Sequence, residues 1–406
     1  MVNNIQRFIG IRNVFGDKGI PSKLFSAFVA TLFCCVHFYV GSLSQLIYLA
    51  QVFPDKIKSF QAINCASAIL VPLSKFFFMF TSSSRLRKIM ELSHDGLTAL
   101  PENSAARKSM LTTLRKAYMV SWLVVFILVV IHVMYLVLPV LFTIFGNDRY
   151  LPSMPGDIYG IFSKYESPYY EIAFTLTIIA TFFSVVNQTG YIVLFVVLLA
   201  HELGHFYAIC EVLHEVRDII VGQENNLDAI DAIDYNNNEK KDTKQTNVGV
   251  NLNSESSKQK KIEEMLIFCV KRHQFLIKLH AKICDLYKVI FVAHFFIMII
   301  VIVSTLQTLN SWGLINTFLT GTSAVTPLVV YCFGGEMLIS SGLAMRDAVY
   351  DCGWEGMGVR QARIVLLILC VAQHPLYFTA AGIIIMNRET FGDVAQVVYK
   401  IYAVFN

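Results

Sequence analysis

Long apolar runs separated by polar links make up most of this chain. Each run is about 20 residues or longer, the length that an α-helix needs to cross a bilayer. Several exceed one crossing, so those helices must tilt, kink or continue beyond the bilayer. The pattern predicts an all-α membrane protein with seven transmembrane helices. The runs lie at about residues 24–49, 60–80, 118–145, 172–199, 289–309, 314–343 and 364–404.

The last apolar run carries a stripe of polar side chains. Helical spacing recurs through Glu389, Asp393, Gln396, Lys400 and Val404, so these residues share one face of a helix. An ionisable group that faces lipid costs roughly 2.5 to 3.5 kcal/mol on insertion scales. Two interpretations follow. Either this face lines a water-filled path, or Glu389 and Lys400 reach the two membrane surfaces while Asp393 and Gln396 have protein partners.

Lys and Arg residues are distributed unevenly among the links. The links after the second and fourth runs are basic, whereas those after the first, third and fifth runs contain few basic residues. By the positive-inside rule, the amino terminus is cytoplasmic and the carboxyl terminus is extracellular. This orientation is opposite to that of a seven-helix G-protein-coupled receptor. The first 22 residues lack the apolar core of a signal peptide, so we expect the mature protein to retain them.

A polar segment divides the chain. Residues 221–261 are rich in Asn, Asp, Lys, Ser and Gln, and such a segment cannot bury enough apolar surface to offset its ordering entropy. Four regions are therefore predicted. They are a cytoplasmic amino terminus (1–23), transmembrane helices one to four with a cytoplasmic extension of the fourth (24–220), a disordered cytoplasmic loop (221–261), and a cytoplasmic anchor helix followed by transmembrane helices five to seven, the last with the polar stripe (262–406).

Charge and cysteine usage exclude some classes of function. The net charge of +4 is small for 406 residues, so nucleic acid is not an expected partner. The nine cysteines fall in apolar runs or in links predicted to be cytoplasmic, without a CxxC spacing. Neither a disulfide framework nor a zinc cage is indicated. We expect no cofactor.

One motif indicates an alternative function. Residues 201–205 read HELGH, which matches HExxH, where two histidines hold zinc and the glutamate activates water. The motif resembles that of intramembrane site-2 metalloproteases. A catalytic zinc needs three protein ligands, and no LDG-type aspartate follows in a later run, since the one Leu-Asp pair lies at residues 227–228. Because the ligand set is incomplete, we interpret the two histidines as interfacial residues. We expect neither a metal site nor catalytic residues.

The sixth run and the segment after it carry a more specific signal. They read YCFGGEMLISSGLAMRDAVYDCGWEG and, later, AQHPLYFTAAGIIIMNRETFGDVAQVVYKIY. This region resembles the signature region of the insect odorant receptors, and upstream the resemblance is one of layout only. Gustatory receptor channels share the layout, but the NRETF run fits the odorant receptors better. The matching positions are Tyr331, Cys332, Phe333, Gly334, Glu336, Ala348, Tyr350, Trp354, Gln373, Pro375, Leu376, Thr379, Ala380, Gly382, Glu389, Thr390, Phe391 and Tyr399.

The resemblance implies a subunit of a tetrameric, odorant-gated, non-selective cation channel that works without a G protein. It implies a plasma-membrane location, on sensory-neuron dendrites. The implied partners are an insect odorant co-receptor subunit, a small volatile organic ligand and the lipid bilayer. In that family the last helix lines the pore, which makes the polar stripe pore-lining and places the gate at Val404. Lys400 would then put a positive charge in a path for cations, where it opposes conduction.

The resemblance also implies a ligand site in the outer half of the bundle, among spans two, three, four and six. Such a cavity, apolar and aromatic with a few hydrogen-bonding groups, suits a small volatile. For each residue taken alone, helix packing is the alternative role. The residues at suitable depth are Val71, Ser74, Phe78, His132, Tyr135, Phe174, Ile178 and Thr322.

Overall fold

A computed structural model describes residues 20–146, 156, 158–161, 165–236 and 247–405, so most of the predicted cytoplasmic amino terminus (1–23) lies outside the described residues. The chain contains a π-helical turn, Phe38–Leu43, and a 3₁₀ turn, Trp354–Gly356. Strands β1 (Thr379–Ala380) and β2 (Ile384–Ile385) form an antiparallel hairpin. The helices are α1 (Ile20–His37), α2 (Ser44–Val52), α3 (Lys56–Thr81), α4 (Ser83–Thr98), α5 (Ala105–Gly146), α6 (Tyr169–Asn236), α7 (Asn247–Gln307), α8 (Leu309–Tyr350), α9 (Val359–Ala372) and α10 (Arg388–Phe405).

The prediction of an all-α membrane protein is confirmed. Within the described residues, six helical stretches are long and apolar enough to cross a bilayer, and they correspond to the first six predicted runs. The seventh run differs from the prediction, because residues 364–404 form two helices, α9 and α10, with the β-hairpin between them. Pro375 lacks an N–H and restricts the residue before it, and Gly382 turns the chain with a φ of 75°. The seventh predicted run is therefore interrupted, and α10 forms its last part.

Two helices are far longer than a membrane crossing. Helix α6 has 68 residues and α7 has 61, which corresponds to lengths of about 100 and 90 Å at 1.5 Å per residue. Both therefore continue beyond the bilayer, as their sequence pattern predicts. They also extend into the segment predicted to be a disordered loop, since 221–236 and 247–261 are helical and 237–246 lies outside the described residues.

The inner half of the bundle is filled by aromatic side chains from the long helices. The ring of Phe195 on α6 lies 5.4 Å from Tyr287, 5.7 Å from Phe291 and 5.1 Å from Tyr331, between ring centroids. Phe378, just before β1, lies 5.4 Å from the same ring. All five side chains are almost completely buried. We call this group the inner aromatic core.

The hairpin and the start of α10 are fixed against α8. A Cβ on Gly335 would come within 1.8 Å of the Met386 carbonyl oxygen, so the two backbones need a glycine here. The Arg388 N–H donates to Glu336 Oε2 at 3.3 Å. Asn387 Oδ1 accepts from the Thr390 N–H at 2.9 Å, an N-cap that begins α10. The GGE and NRETF segments thus hold the last helix in place.

Candidate functional site

A cavity of about 160 Å³ lies in the outer half of the bundle, lined by side chains from α1, α2, α3, α5, α6, α7 and α8. For comparison, an engineered apolar cavity of about 150 Å³ holds benzene. We call this space the outer cavity. The apolar part of its wall consists of Ala68, Ile69, Val71, Ala180, Met298, Val301 and Ala324.

The π-helical turn shapes one side of the outer cavity. Gly41, inside that turn, lets the first span approach α3 so closely that a Cβ there would meet the side chain of Ile69 at 1.8 Å. The ring of His37, just before the turn, contacts the carbonyl oxygens of Ala180 at 2.9 Å and Ile69 at 3.2 Å. The turn therefore ties α1 to both α3 and α6. Single π-helical turns occur frequently at functional sites.

Several polar side chains in the wall satisfy one another. Asn64 Nδ2 donates to Ser304 Oγ at 3.0 Å and to Thr305 Oγ1 at 2.7 Å. Gln188 Nε2 donates to the Ser323 carbonyl oxygen at 3.0 Å, and the Tyr135 hydroxyl is hydrogen-bonded to Thr320. These bonds join α3 to α7, α6 to α8 and α5 to α8. They hold the wall without a ligand.

Gln45 is different. Its side chain is completely buried at the outer cavity, and within the described residues neither Nε2 nor Oε1 has a hydrogen-bond partner. A buried polar group left without a partner costs about 1–3 kcal/mol. The amide is therefore available both to donate to and to accept from a molecule in the cavity. Sequence analysis missed Gln45, although an amide inside the first apolar run was a usable signal.

The structure brings together three of the eight residues predicted to bind ligand. Val71, His132 and Tyr135 line the outer cavity. The ring of His132 is positioned by its Nδ1, which lies 2.7 Å from the Leu128 carbonyl oxygen. Their role in binding stays a prediction.

The other five predicted residues lie elsewhere, because neighbouring positions on a helix face different directions. Ser74 Oγ donates to the Val71 carbonyl oxygen at 2.8 Å. Phe78 packs on Tyr191 toward the inner aromatic core. Phe174 stacks on Tyr170, Ile178 is 38% exposed, and Thr322 lines a groove on the surface between α5 and α8.

The polar stripe lies on the exposed side of α10. Glu389, Asp393, Gln396 and Lys400 are exposed, and the side chain of Val404 is 81% exposed. The opposite side of α10 is buried through Thr390, Val394 and Val398. The helix thus packs its apolar side on its own bundle and leaves the predicted pore-lining residues facing away from it.

Helices α7 and α8 contact both the outer cavity and α10. On α7, Val301 lines the outer cavity and Ile302 lines a second pocket, between α7, α8 and α10. On α8, Ala324 lines the outer cavity and Val325 lines the second pocket. Gln307 Nε2 also donates to the Tyr402 carbonyl oxygen at 3.2 Å. A change in the cavity wall can therefore reach α10 through a single layer of helices.

The HELGH segment lies inside the helix bundle, not at an interface with water, so the expectation of interfacial histidines is wrong. His201, Glu202 and His205 are buried, and the ring of His205 packs on Phe275. The Glu202 carboxylate accepts from His280 Nδ1 at 3.0 Å. Within the described residues, no group of three or more His, Cys, Asp or Glu side chains is placed to hold a metal ion.

Comparisons with known proteins agree with this fold. A family model described as 7tm Odorant receptor matches residues 57–399. Odorant receptor 49a of Drosophila melanogaster is 23% identical over 145 residues, which cover 35% of this chain and 37% of that protein. Odorant receptor 2a of Drosophila melanogaster is 32% identical over 81 residues, 20% of each chain. This chain therefore aligns with about a third or less of these relatives.

Solved structures extend the likeness to the whole chain. The insect olfactory receptor OR5 from Machilis hrabei, in complex with eugenol, superposes with a TM-score of 0.76 at 15% identity, covering 99% of this chain and 96% of that one. The OR5 structure described without eugenol superposes with a TM-score of 0.73. The likeness shows a common helical architecture.

Proposed function

The chain belongs to the insect odorant receptor family, and we propose that it is the ligand-binding subunit of a heteromeric, ligand-gated, non-selective cation channel. One observation carries the proposal. The outer cavity and the polar-striped helix α10 share the walls formed by α7 and α8. A site for a small molecule and a candidate pore surface are thus separated by a single layer of helices.

The ligand is a small volatile with one hydrogen-bonding group. A volume of about 160 Å³ suits a molecule of roughly benzene size. The mostly apolar wall provides burial, and the Gln45 amide provides a partner for a carbonyl or hydroxyl oxygen. Val71, His132 and Tyr135 complete the contact surface. The complex of OR5 with eugenol, in a protein of the same fold, supports this class of ligand.

Helix α10 lines the pore. Its exposed polar side needs water or protein in a membrane, and a central channel between subunits provides both. Val404 is the constriction, which suits its exposed apolar side chain near the end of the helix. Lys400 faces the same path and repels cations there. Co-receptor subunits without a positive charge at this position would lower the total positive charge of the pore.

Opening follows from a shift of population. The volatile binds the open arrangement of the outer cavity more tightly than the closed one, and only that difference in affinity can move the equilibrium. Coupling of about 1–3 kcal/mol is typical between two such sites. Displacement of α7 and α8 moves α10, because Gln307 on α7 donates a hydrogen bond to the Tyr402 carbonyl oxygen on α10. Val404 then leaves the channel axis.

The proposed setting is the plasma membrane of sensory-neuron dendrites, with the insect odorant co-receptor as partner subunit. Signalling requires neither a G protein nor an enzymatic step by this chain.

Whole-cell current tests the proposal. Cells express this chain alone, the co-receptor alone, or both, and receive a broad panel of volatiles while G-protein signalling is blocked. We expect fast cation current for a subset of volatiles only when both chains are present. Silence across the panel, with both chains confirmed at the cell surface, would refute the proposal.

A further inference from the structure

The HELGH segment contributes to a side-chain constellation that the proposed channel function does not use. Cys284 Sγ lies 3.2 Å from Nε2 of His280. The other ring nitrogen of His280, Nδ1, lies 3.0 Å from Glu202 Oε1. A thiol, an imidazole and a carboxylate thus follow one another at hydrogen-bonding distances. This is the arrangement of an activated nucleophile with a base and a group that orients the base.

Helix geometry produces this constellation. Cys284 and His280 are four residues apart on α7, so their side chains meet on one face, and Glu202 comes from the adjacent helix α6. The carboxylate is 0% exposed, and within the described residues its second oxygen, Oε2, has no hydrogen-bond partner. Because Glu202 accepts from Nδ1, that nitrogen carries a ring hydrogen. Nε2 is the ring atom that faces the thiol.

The surroundings allow a reagent to reach the thiol. Cys284 is only partly buried, whereas the ring of His280 is held against Phe378, 5.4 Å between ring centroids. The nearest carboxylate on the same helix, Asp285, is paired with Lys288 at 2.5 Å and Arg85 at 3.8 Å. Its charge is therefore balanced by these two cations.

From this geometry we infer that Cys284 is a reactive thiol that soft electrophiles of the α,β-unsaturated carbonyl class alkylate. The thiol proton passes to Nε2 of His280. The sulfur electron pair then forms a C–S bond with the β-carbon of the electrophile, and the resulting enolate takes the proton back from the imidazolium at its α-carbon. The product is a neutral thioether, and no oxidant is required.

The alkylated Cys284 would lie beside the segment that connects α9 to the hairpin and α10. Cys284 Sγ lies 3.9 Å from the Tyr377 carbonyl oxygen, two residues before β1. By the charge distribution of the links, this end of α7 is cytoplasmic. The modification is therefore expected from electrophiles that reach the cytosol, separately from ligand binding in the outer cavity.

Alkylation by N-ethylmaleimide tests the inference on the full chain purified in detergent, with rates at individual cysteines followed by peptide mass spectrometry. Cys370 is more exposed than Cys284 and serves as the internal reference. At about pH 7 Cys284 should react at least about tenfold faster than Cys370, because only Cys284 has an imidazole and a carboxylate in line with its thiol.

Two variants identify the base. His280→Asn should slow alkylation of Cys284 about tenfold, with the rate at Cys370 unchanged. Glu202→Gln should give a smaller loss, because the imidazole stays in place without its charge partner. Equal rates at Cys284 and Cys370 in the unmodified chain at about pH 7 would overturn the inference even if neither variant folds. An unchanged rate at Cys284 in folded His280→Asn would overturn it as well.

Discussion

The outer and inner halves of the bundle are built from the same helices but packed differently. On α6, Gln188 lines the outer cavity and Phe195, two turns further on, is in the inner aromatic core. On α8, Ala324 lines the outer cavity and Tyr331 is in the inner aromatic core. Small side chains leave space outside, and large aromatic rings fill the space inside. A ligand can therefore be accommodated only where packing is incomplete, while the inner half keeps the helices in register.

This contrast has energetic consequences. A closely packed interior loses contacts whenever an atom is removed or added. The wall of an existing cavity has fewer contacts to lose. Substitutions in the inner half should therefore act on stability, and substitutions in the outer half should act on ligand response.

A large loss of stability is expected at Gly335, where the inner half meets the hairpin. Gly335→Ala would place a Cβ within 1.8 Å of the Met386 carbonyl oxygen, a backbone atom that cannot move without the hairpin. We expect a loss of about 3 kcal/mol or more, visible as a lower thermal unfolding midpoint and reduced surface expression. Gly321→Ala on the same helix is the matched control, because its Cβ would meet nothing within 4 Å. Equal midpoints for the two variants would contradict the packing described here.

A pair of truncations compares the two halves directly. Phe195 is completely buried in the inner aromatic core, so Phe195→Ala should cost about 3–5 kcal/mol. Met298 borders the outer cavity, so Met298→Ala should cost only about 2 kcal/mol, the low end for this change. Thermal unfolding of the purified chains in detergent measures both. A larger loss for Met298→Ala would show that the outer half is not the looser one.

A smaller effect is expected on the exposed side of α10. Lys400→Ala removes a positive charge from the proposed cation path, where water limits its repulsion to about 1 kcal/mol or less at close range. Single-channel cation conductance of the mixed channel should rise by a factor of about two. Lys278→Ala, at an exposed position on the cytoplasmic part of α7, should change nothing. Unchanged conductance and selectivity in Lys400→Ala would remove Lys400 from the pore surface.

The regular features of this molecule could be predicted from its sequence, because they depend on periodicity and length alone. The stripe from Glu389 to Val404 lies on one side of α10 since helical spacing separates it from buried Val394 and Val398. Depth along a helix was enough to bring Val71 and His132 to the outer cavity. For Phe78 and Ile178, depth along the helix did not predict a position at the outer cavity, because the direction in which a side chain points around the helix also matters.

The position of Gln45 depends on a local irregularity. One extra residue in the π-helical turn rotates all following side chains by about 100°, so the face of α2 does not continue the face of α1. The constellation of Glu202 and His280 depends on the register between α6 and α7, which are distant in sequence. The division of the seventh run depends on Pro375 and Gly382, and the hairpin is then held by its close approach to Gly335. None of these can be read from a hydrophobic pattern.

The most direct test of the outer cavity as the ligand site is the dose-response of the mixed channel in a Gln45→Leu variant. Each activating volatile that has a carbonyl or hydroxyl oxygen is compared with a hydrocarbon of the same shape, and Gln61→Leu, whose amide donates to Ser311 outside the cavity, is the control. Loss of one hydrogen bond is worth about 1 kcal/mol or somewhat more. Gln45→Leu should therefore raise the half-maximal concentration about tenfold for the oxygenated volatile and leave or improve the response to the hydrocarbon. Identical curves for Gln45→Leu and Gln61→Leu would contradict the assignment of the outer cavity as the ligand site.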